Sequence, residues 1–298
     1  CSSSPSAEYV FRSTSPRMRK ARRVMDLIDI DSLKWAQYAG HARPWNAWIY
    51  RYEARTLATY ERRIAAEYDE MLVVSEQEKS HFPGQSHAHL HAVPNGVDLK
   101  FFSPRKAAST ASTPIIVFTG VMDYWPNVEG VKWFVDRVFP RVRAAVPAAQ
   151  FLIVGSRPTP EVRRLENVDG VTVTGFVEDV REYLDRASVC VVPLRIARGI
   201  QNKLLEAMAS GKAVVTTPQA FEGLSAEAGA DLLVAADEEA FATATIRLLQ
   251  DQAHAAAMGQ RARLCMERHY SWHDNLMSLE RLLQSASTQP RHAQALAR

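Results

Sequence analysis

Cysteine is scarce in this 298-residue chain, occurring only at Cys1, Cys190 and Cys265. An odd number at such wide spacing excludes a disulfide framework and a paired-cysteine zinc site, and a reducing compartment is expected. Long apolar runs are missing as well. No stretch approaches the roughly 18–20 residues that cross a bilayer, so membrane-spanning helices are not expected. Nor is there an excess of one charge: 36 Lys and Arg stand against 33 Asp and Glu, a formal +3. That balance argues against a dedicated nucleic-acid binder. No initiator Met and no signal-peptide pattern mark the start, where Cys1 is followed by strand-like Tyr9-Val10-Phe11 and a basic stretch. The chain reads as truncated at its N-terminus.

What is present is ordinary globular material, 47% hydrophobic and 23% charged, at a length suited to one large or two modest domains. The first region, 1–104, offers a strand at Val24–Ile30, a helix over 48–66 and a second strand at Met71–Val74. Residues 105–113, rich in Ala, Ser and Thr between Pro104 and Pro114, read as a linker. Beyond it, short apolar runs alternate with amphipathic stretches. The strand candidates are Ile115–Thr119, Gln150–Val154, Val171–Thr174, Val189–Val192, Ala213–Thr216 and Leu232–Ala235. Helical patterns cover 128–145, 180–187, 202–209 and 238–249, and further helices follow over 253–268 and 272–283. Continuously apolar strands alternating with helices predict a doubly wound α/β domain with a parallel sheet over 114–270, followed by a helix and frayed tail over 271–298.

In such a sheet, ligands bind at the carboxyl ends of strands beside helix N-termini. The segment that best fits that position follows Val189–Leu194 and runs from Arg195 through Gly199, Ile200 and Gln201 to Lys203 and Glu206. Gly199 lets the backbone approach a ligand, and the helix starting near Gln201 directs N–H groups at it. Lys203 falls in the first turn, where a cation opposes the positive helix end unless an anion such as a diphosphate lies between. Glu206, one turn on among Leu204, Leu205, Ala207 and Met208, needs donors such as the two hydroxyls of a ribose. The same spacing equally describes a surface i,i+3 ion pair worth about 0.2–0.5 kcal/mol.

The stretch from Gly199 to Val215 resembles the nucleotide-sugar signature of family 4 glycosyltransferases, whose GT-B architecture consists of two facing Rossmann-like domains. Val93-Pro-Asn-Gly-Val-Asp98 with Phe101-Phe-Ser-Pro104 is similar to the segment ending that family's N-terminal domain, and Val117–Gly120 with Pro126-Asn127 to the first strand and loop of its C-terminal domain. The segment Asp26–Trp35 with Tyr38 resembles a subgroup associated with exosortase (PEP-CTERM) exopolysaccharide loci. The resemblance implies an N-terminal domain that is incomplete in the ~100 residues available.

It also implies roles. Glu206 would hold the ribose, Lys203 would neutralise the diphosphate, and Gly199, Ile200 and Gln201 would cradle the distal phosphate or sugar. Gly120 would admit the phosphates, and Phe176 and Val177 would frame the base. Two features depart from the family. The first glutamate of its Glu-x7-Glu pair falls on Arg198, and the Arg and Lys expected after the first C-terminal strand are replaced by Val121-Met-Asp-Tyr-Trp-Pro-Asn127. Arg198 then becomes the candidate for the missing positive charge. The implied reaction is sugar transfer from a nucleotide-diphospho-sugar to a glycan or lipid-linked acceptor, retaining, by front-face displacement with Lys203 and Arg198 stabilising the leaving diphosphate. No metal, other cofactor or nucleic acid is implied. The location would be cytoplasmic, in peripheral contact with the membrane's inner face. An epimerase of the same fold and a non-catalytic nucleotide-binding fragment are the competing expectations.

Other candidates carry bland explanations. His87, His89 and His91 would chelate a metal from one strand face, or form a solvent-facing edge. Asp29, Asp31 and Ser32 would line an acceptor cleft, or Asp31 or Ser32 would cap a helix. Trp35, Tyr38, Trp45, Trp48, Tyr50 and Tyr52, flanked by Arg43, Arg51 and Arg55, would form an acceptor platform or membrane-surface patch, or pack as an ordinary helix face. Arg19, Lys20, Arg22 and Arg23 read as a solvated stretch, and Cys190 as core.

Overall fold

The computed structural model describes residues 4–42, 44–83, 89–105, 113–197 and 199–285. The chain divides into two units, one of residues 1–95 with 273–298 and one of residues 96–272. The divisions fall at 95/96 and 272/273, and residues 106–112 of the expected linker lie outside the described residues.

The first unit is built on three parallel strands, β1 (Val24–Asp26), β2 (Glu70–Val73) and β3 (Leu90–Ala92), in the order β1-β2-β3. Between β1 and β2 lie the helices Asp31–His41 and Pro44–Glu67. The expected strand Val24–Ile30 stops at Asp26; Leu27 N–H still donates to the Leu72 carbonyl at 2.8 Å, and the chain then turns into the helix that opens at Asp31. Tyr9-Val10-Phe11 is helical (Ala7–Phe11), not extended; the Phe11 ring lies edge-on to Tyr60 and Tyr68 at 6.3 and 6.0 Å. Packing against a helix decides that short segment, since its alternation is too brief to specify a strand.

The second unit carries six strands: β4 (Ile115–Thr119), β5 (Gln150–Val154), β6 (Val171–Gly175), β7 (Val189–Val192), β8 (Val214–Thr216) and β9 (Leu233–Val234). All pair in parallel, in the order β6-β5-β4-β7-β8-β9. Counted within the unit this is 3-2-1-4-5-6, the doubly wound order, with its topological switch between β4 and β7. β4 and β7 are buried at every position, which explains why they read as unbroken apolar runs. Cys190 is core, its thiol pushed up to about 12 by burial.

The single helix expected over 128–145 is three pieces: Trp125–Trp133, a π-helical turn Phe134–Val138, and Phe139–Ala145. Pro140 lacks an N–H to donate to Asp136, and the wider turn closes instead with Phe139 N–H donating to the Phe134 carbonyl. Phe134, Phe151 and Phe241 pack there, Phe134 lying 4.5 Å from Phe151 and 5.9 Å from Phe241 between ring centroids. Asp237 and Asp251 start the helices Glu238–Gln250 and Gln252–His269 by accepting from the N–H groups of Ala240 and His254, each at 2.8 Å. No helix among the described residues is long and apolar enough to cross a membrane.

Candidate functional site

An open pocket of about 780 Å³ lies at the carboxyl ends of β4 and β5, beside the switch point. β4 contributes Thr119 and, just past its end, Gly120, with Val121, Asp123, Tyr124 and Asn127 following. β5 contributes Val154, then Gly155, Ser156 and Arg157; Phe176, Val177 and Val180 follow β6. The helix Asn202–Ala209, after β7, contributes Asn202, Lys203 and Glu206. Four successive βα connections thus converge on one cavity, the place where doubly wound sheets bind ligands.

The floor is made of backbone. Gly155 has φ +148, and a Cβ there would lie 1.7 Å from the Gly120 carbonyl oxygen. A Cβ on Gly120 would meet Asn127 Nδ2 at 2.8 Å and Lys203 Nζ at 3.4 Å. Only glycine fits at 155, and a side chain at 120 would displace the Asn127 amide beside Lys203.

The charged pair is not a surface ion pair. Lys203 Nζ donates to Asn127 Oδ1 at 2.5 Å and lies 4.8 Å from the centroid of the Phe118 ring. Burial lowers its pKa to about 8, with the charge of Glu206 opposing the shift. Glu206 is raised to about 7, again by burial and against the pull of Lys203. Among the described residues the two make no ion pair within 4 Å, and no hydrogen bond reaches the Glu206 carboxylate. A carboxylate and an ammonium, both partly withdrawn from water, thus face one cavity without being satisfied by each other. At the rim, Arg157 holds φ +54 and pairs with Asp123, Nε to Oδ2 at 3.2 Å.

Of the residues singled out from sequence, Gly120, Phe176, Val177, Lys203 and Glu206 wall this one pocket. Gly199, Ile200 and Gln201 are not among its described walls. Gly199 has φ +64, Ile200 is 8% exposed and packs inward, and the Gln201 side chain donates to the Gly199 carbonyl at 3.2 Å instead of capping the helix. Arg198 lies outside the described residues.

In the first unit, Ser32 is buried and committed. Its backbone N–H donates to Glu61 Oε1 at 3.0 Å and its hydroxyl donates to Glu61 Oε2. Ile30, not Asp31 or Ser32, occupies the N-cap, so the capping explanation fails too; Asp31 opens the first turn, and Asp29 precedes it. Of the three histidines, His87 is outside the described residues, His89 is exposed, and His91 Nε2 lies 2.6 Å from Glu70 Oε2.

Sequence reasoning missed Asn127, Ser156, Arg157 and Asp123 as site residues. The glycine directly after the apolar run Gln150–Val154 was the available signal for Ser156 and Arg157. Asn127 gave none beyond its place in the family-like segment.

Residues 113–251 match the family model described as glycosyl transferases group 1. Over 249 residues the chain is 29% identical to a GDP-mannose-dependent monoacylated alpha-(1-6)-phosphatidylinositol monomannoside mannosyltransferase of Corynebacterium glutamicum, covering 75% of this chain. The chain spans 64% of that relative's length. Among solved structures it resembles sucrose-phosphate synthase from Thermosynechococcus elongatus, with TM-score 0.72 and 23% identity over 88% of this chain and 67% of that one. It also resembles Anabaena HepE in complex with UDP-glucose, with TM-score 0.69 and 15% identity over 90% of this chain and 74% of that one. These likenesses establish the fold, GT-B with parallel α/β sheets.

Proposed function

We propose, for a chain whose residues 113–251 belong to the glycosyl transferases of group 1, that the β4–β5 pocket holds a nucleotide-diphospho-sugar. The protein then transfers that sugar to a glycan or lipid-linked acceptor. The carrying observation is the placement of Lys203 and Glu206 on one helix face, both desolvated in one cavity and unpaired with each other. Lys203 takes the diphosphate charge, and Glu206 accepts hydrogen bonds from the ribose hydroxyls. Gly120 and Gly155 admit the phosphates, and Phe176 and Val177 flank the base. Phe176, 76% exposed, would lose much of that exposure against a nucleobase.

The reaction is read as retaining front-face displacement. The acceptor oxygen bonds to the anomeric carbon as its bond to the diphosphate breaks, and the electron pair leaves with the diphosphate. The acceptor proton passes to a phosphate oxygen, and Lys203 stabilises the charge that develops there. Arg198, which departs from the family's glutamate at that position, is assigned as a second cation standing in for the basic pair missing after β4.

The resemblance of Asp26–Trp35 supports a role in exopolysaccharide assembly on the cytoplasmic side of a membrane. A peripheral membrane contact is supported by Trp45, Trp48, Ile49 and Tyr52, exposed at i, i+3, i+4 and i+7 on the helix Pro44–Glu67 with exposed Arg51 and Arg55 beside them. Such a stripe suits the interface of an anionic bilayer.

The test is calorimetric binding of GDP and UDP, followed by incubation with GDP-mannose and UDP-glucose with and without a glycan or lipid-linked acceptor. Diphosphate release that depends on acceptor, with a glycosylated product, supports transfer. Isomerised donor supports an epimerase. Binding without chemistry supports a nucleotide-binding protein, and absence of binding removes the site.

A further inference from the structure

Asn127 is 3% exposed and tied at three points. Its backbone N–H donates to the Tyr124 carbonyl at 2.9 Å, its Nδ2 donates to the Val121 carbonyl at 2.9 Å, and its Oδ1 accepts from Lys203 Nζ at 2.5 Å. The first two bonds fix the third. With Nδ2 against a carbonyl, Oδ1 must face the lysine, since the flipped amide would set oxygen against oxygen and NH2 against an ammonium. Lys203 is thereby held against the Phe118 ring and beside Gly120, where the phosphates would enter. Among the described residues, the other charged and titratable groups walling this pocket are Glu206 on the same helix, Asp123 and Tyr124 after β4, and Arg157 after β5, itself paired with Asp123.

The chemistry explains why an amide occupies the position. A buried ammonium without an acceptor gives up its proton, whereas a carboxylate beside it would keep the proton but cancel the charge that a diphosphate needs. A neutral, oriented carbonyl does neither harm. We propose that Asn127 is a positioning residue for diphosphate binding, its locked carbonyl holding the Lys203 ammonium charged and in place without neutralising it. The inference rests on the reading of the pocket as a nucleotide-diphosphate site.

The experiment is calorimetric titration of UDP and GDP into the chain between pH 7 and 9.5, for the parent and for Asn127→Ala, Asn127→Asp and Lys203→Ala. In the parent, affinity falls as pH rises through the Lys203 pKa near 8. Asn127→Ala lowers that midpoint. A one-unit drop costs about twofold in affinity at pH 7 and about eightfold at pH 8.5. Asn127→Asp weakens binding at every pH yet moves the midpoint upward, because the carboxylate favours the protonated lysine. Because Glu206 and Lys203 feel each other's charge, each titration is repeated in a Glu206→Gln background, where the Glu206 titration is gone and Lys203 sets the midpoint.

Opposite displacements for the two substitutions are a signature that a merely structural asparagine does not produce. An unchanged midpoint in both, with or without a loss of melting temperature, overturns the inference. Should the alanine variant not fold, the upward displacement in the near-isosteric aspartate variant decides by itself. Unchanged affinity and pH profile in Lys203→Ala would instead overturn the site reading, so the two failures are distinguishable.

Discussion

Two carboxylates of this chain are pushed up by burial, and their surroundings treat them in opposite ways. Glu61, in the first unit, is fully buried and saturated, accepting from both the backbone N–H and the hydroxyl of Ser32. Glu206, in the second unit, lines a cavity, receives no hydrogen bond among the described residues, and feels Lys203 only at a distance. A satisfied buried acid pins one helix to another; the unsatisfied one, beside a cation, is the acid that the proposed ligand would complete. Sequence alone ranked these two regions differently, since Ser32 was a candidate for the acceptor side and Glu61 drew no attention.

The largest expected effect tests the structural half of that contrast. Glu61→Ala leaves two buried donors of Ser32 unpaired and should cost about 2–6 kcal/mol of stability at about 1–3 kcal/mol for each such group, read from urea unfolding. If the cost is only a few tenths of a kcal/mol, Glu61 is not the pin described. The functional half comes next. Glu206→Ala should weaken nucleoside-diphosphate binding by about 1–3 kcal/mol, the scale for hydrogen bonds to a charged group, without unfolding the domain. Equal affinity in variant and parent would remove Glu206 from the site.

Stability against pH sharpens the comparison further. The folded-state pKa of Glu206 is raised above its ordinary 4.5 to about 7, so its ionised form burdens the fold. That burden is absent below about pH 4.5, grows as pH rises through about 7 and is constant above. Glu206→Gln should therefore melt with the parent at pH 4 and be more stable by about 1 kcal/mol at pH 8, after discounting for the group's partial exposure. The smallest effect is on affinity. On the proposed reading, nucleoside-diphosphate binding uses a charged Lys203 and an ionised Glu206, so it should peak between about pH 7 and 8, weakening below as Glu206 protonates and above as Lys203 loses its proton. A flat profile in isothermal titration over pH 6–9 would show that neither group touches the ligand.

Much of the second unit was legible beforehand. The strands Ile115–Thr119, Gln150–Val154 and Val189–Val192 form at the boundaries their apolar runs predicted, as does the helix Asn202–Ala209. Parallel strands covered on both faces leave that mark in any sequence. Lys203 and Glu206 were visible because a three-residue spacing on a helix guarantees a shared face. Asn127 was not, because its bond to Lys203 joins residues 76 positions apart. Ser32 was misjudged for the same reason, its partner Glu61 lying 29 positions away. The π-helical turn at Phe134–Val138 was hidden by a periodicity that looked uniform on either side of it.

Local pattern thus determined which segments became strands and helices, and which helix carried the cation and the acid, since both depend only on neighbours within a turn or two. The meeting of Gly120, Gly155, Asn127 and Lys203 was decided by the strand order alone. Placing β4 between β5 and β7 brings together loops that the chain holds far apart. Burial, hydrogen bonding and charge respond to separation in space, and only the closed sheet fixes that separation.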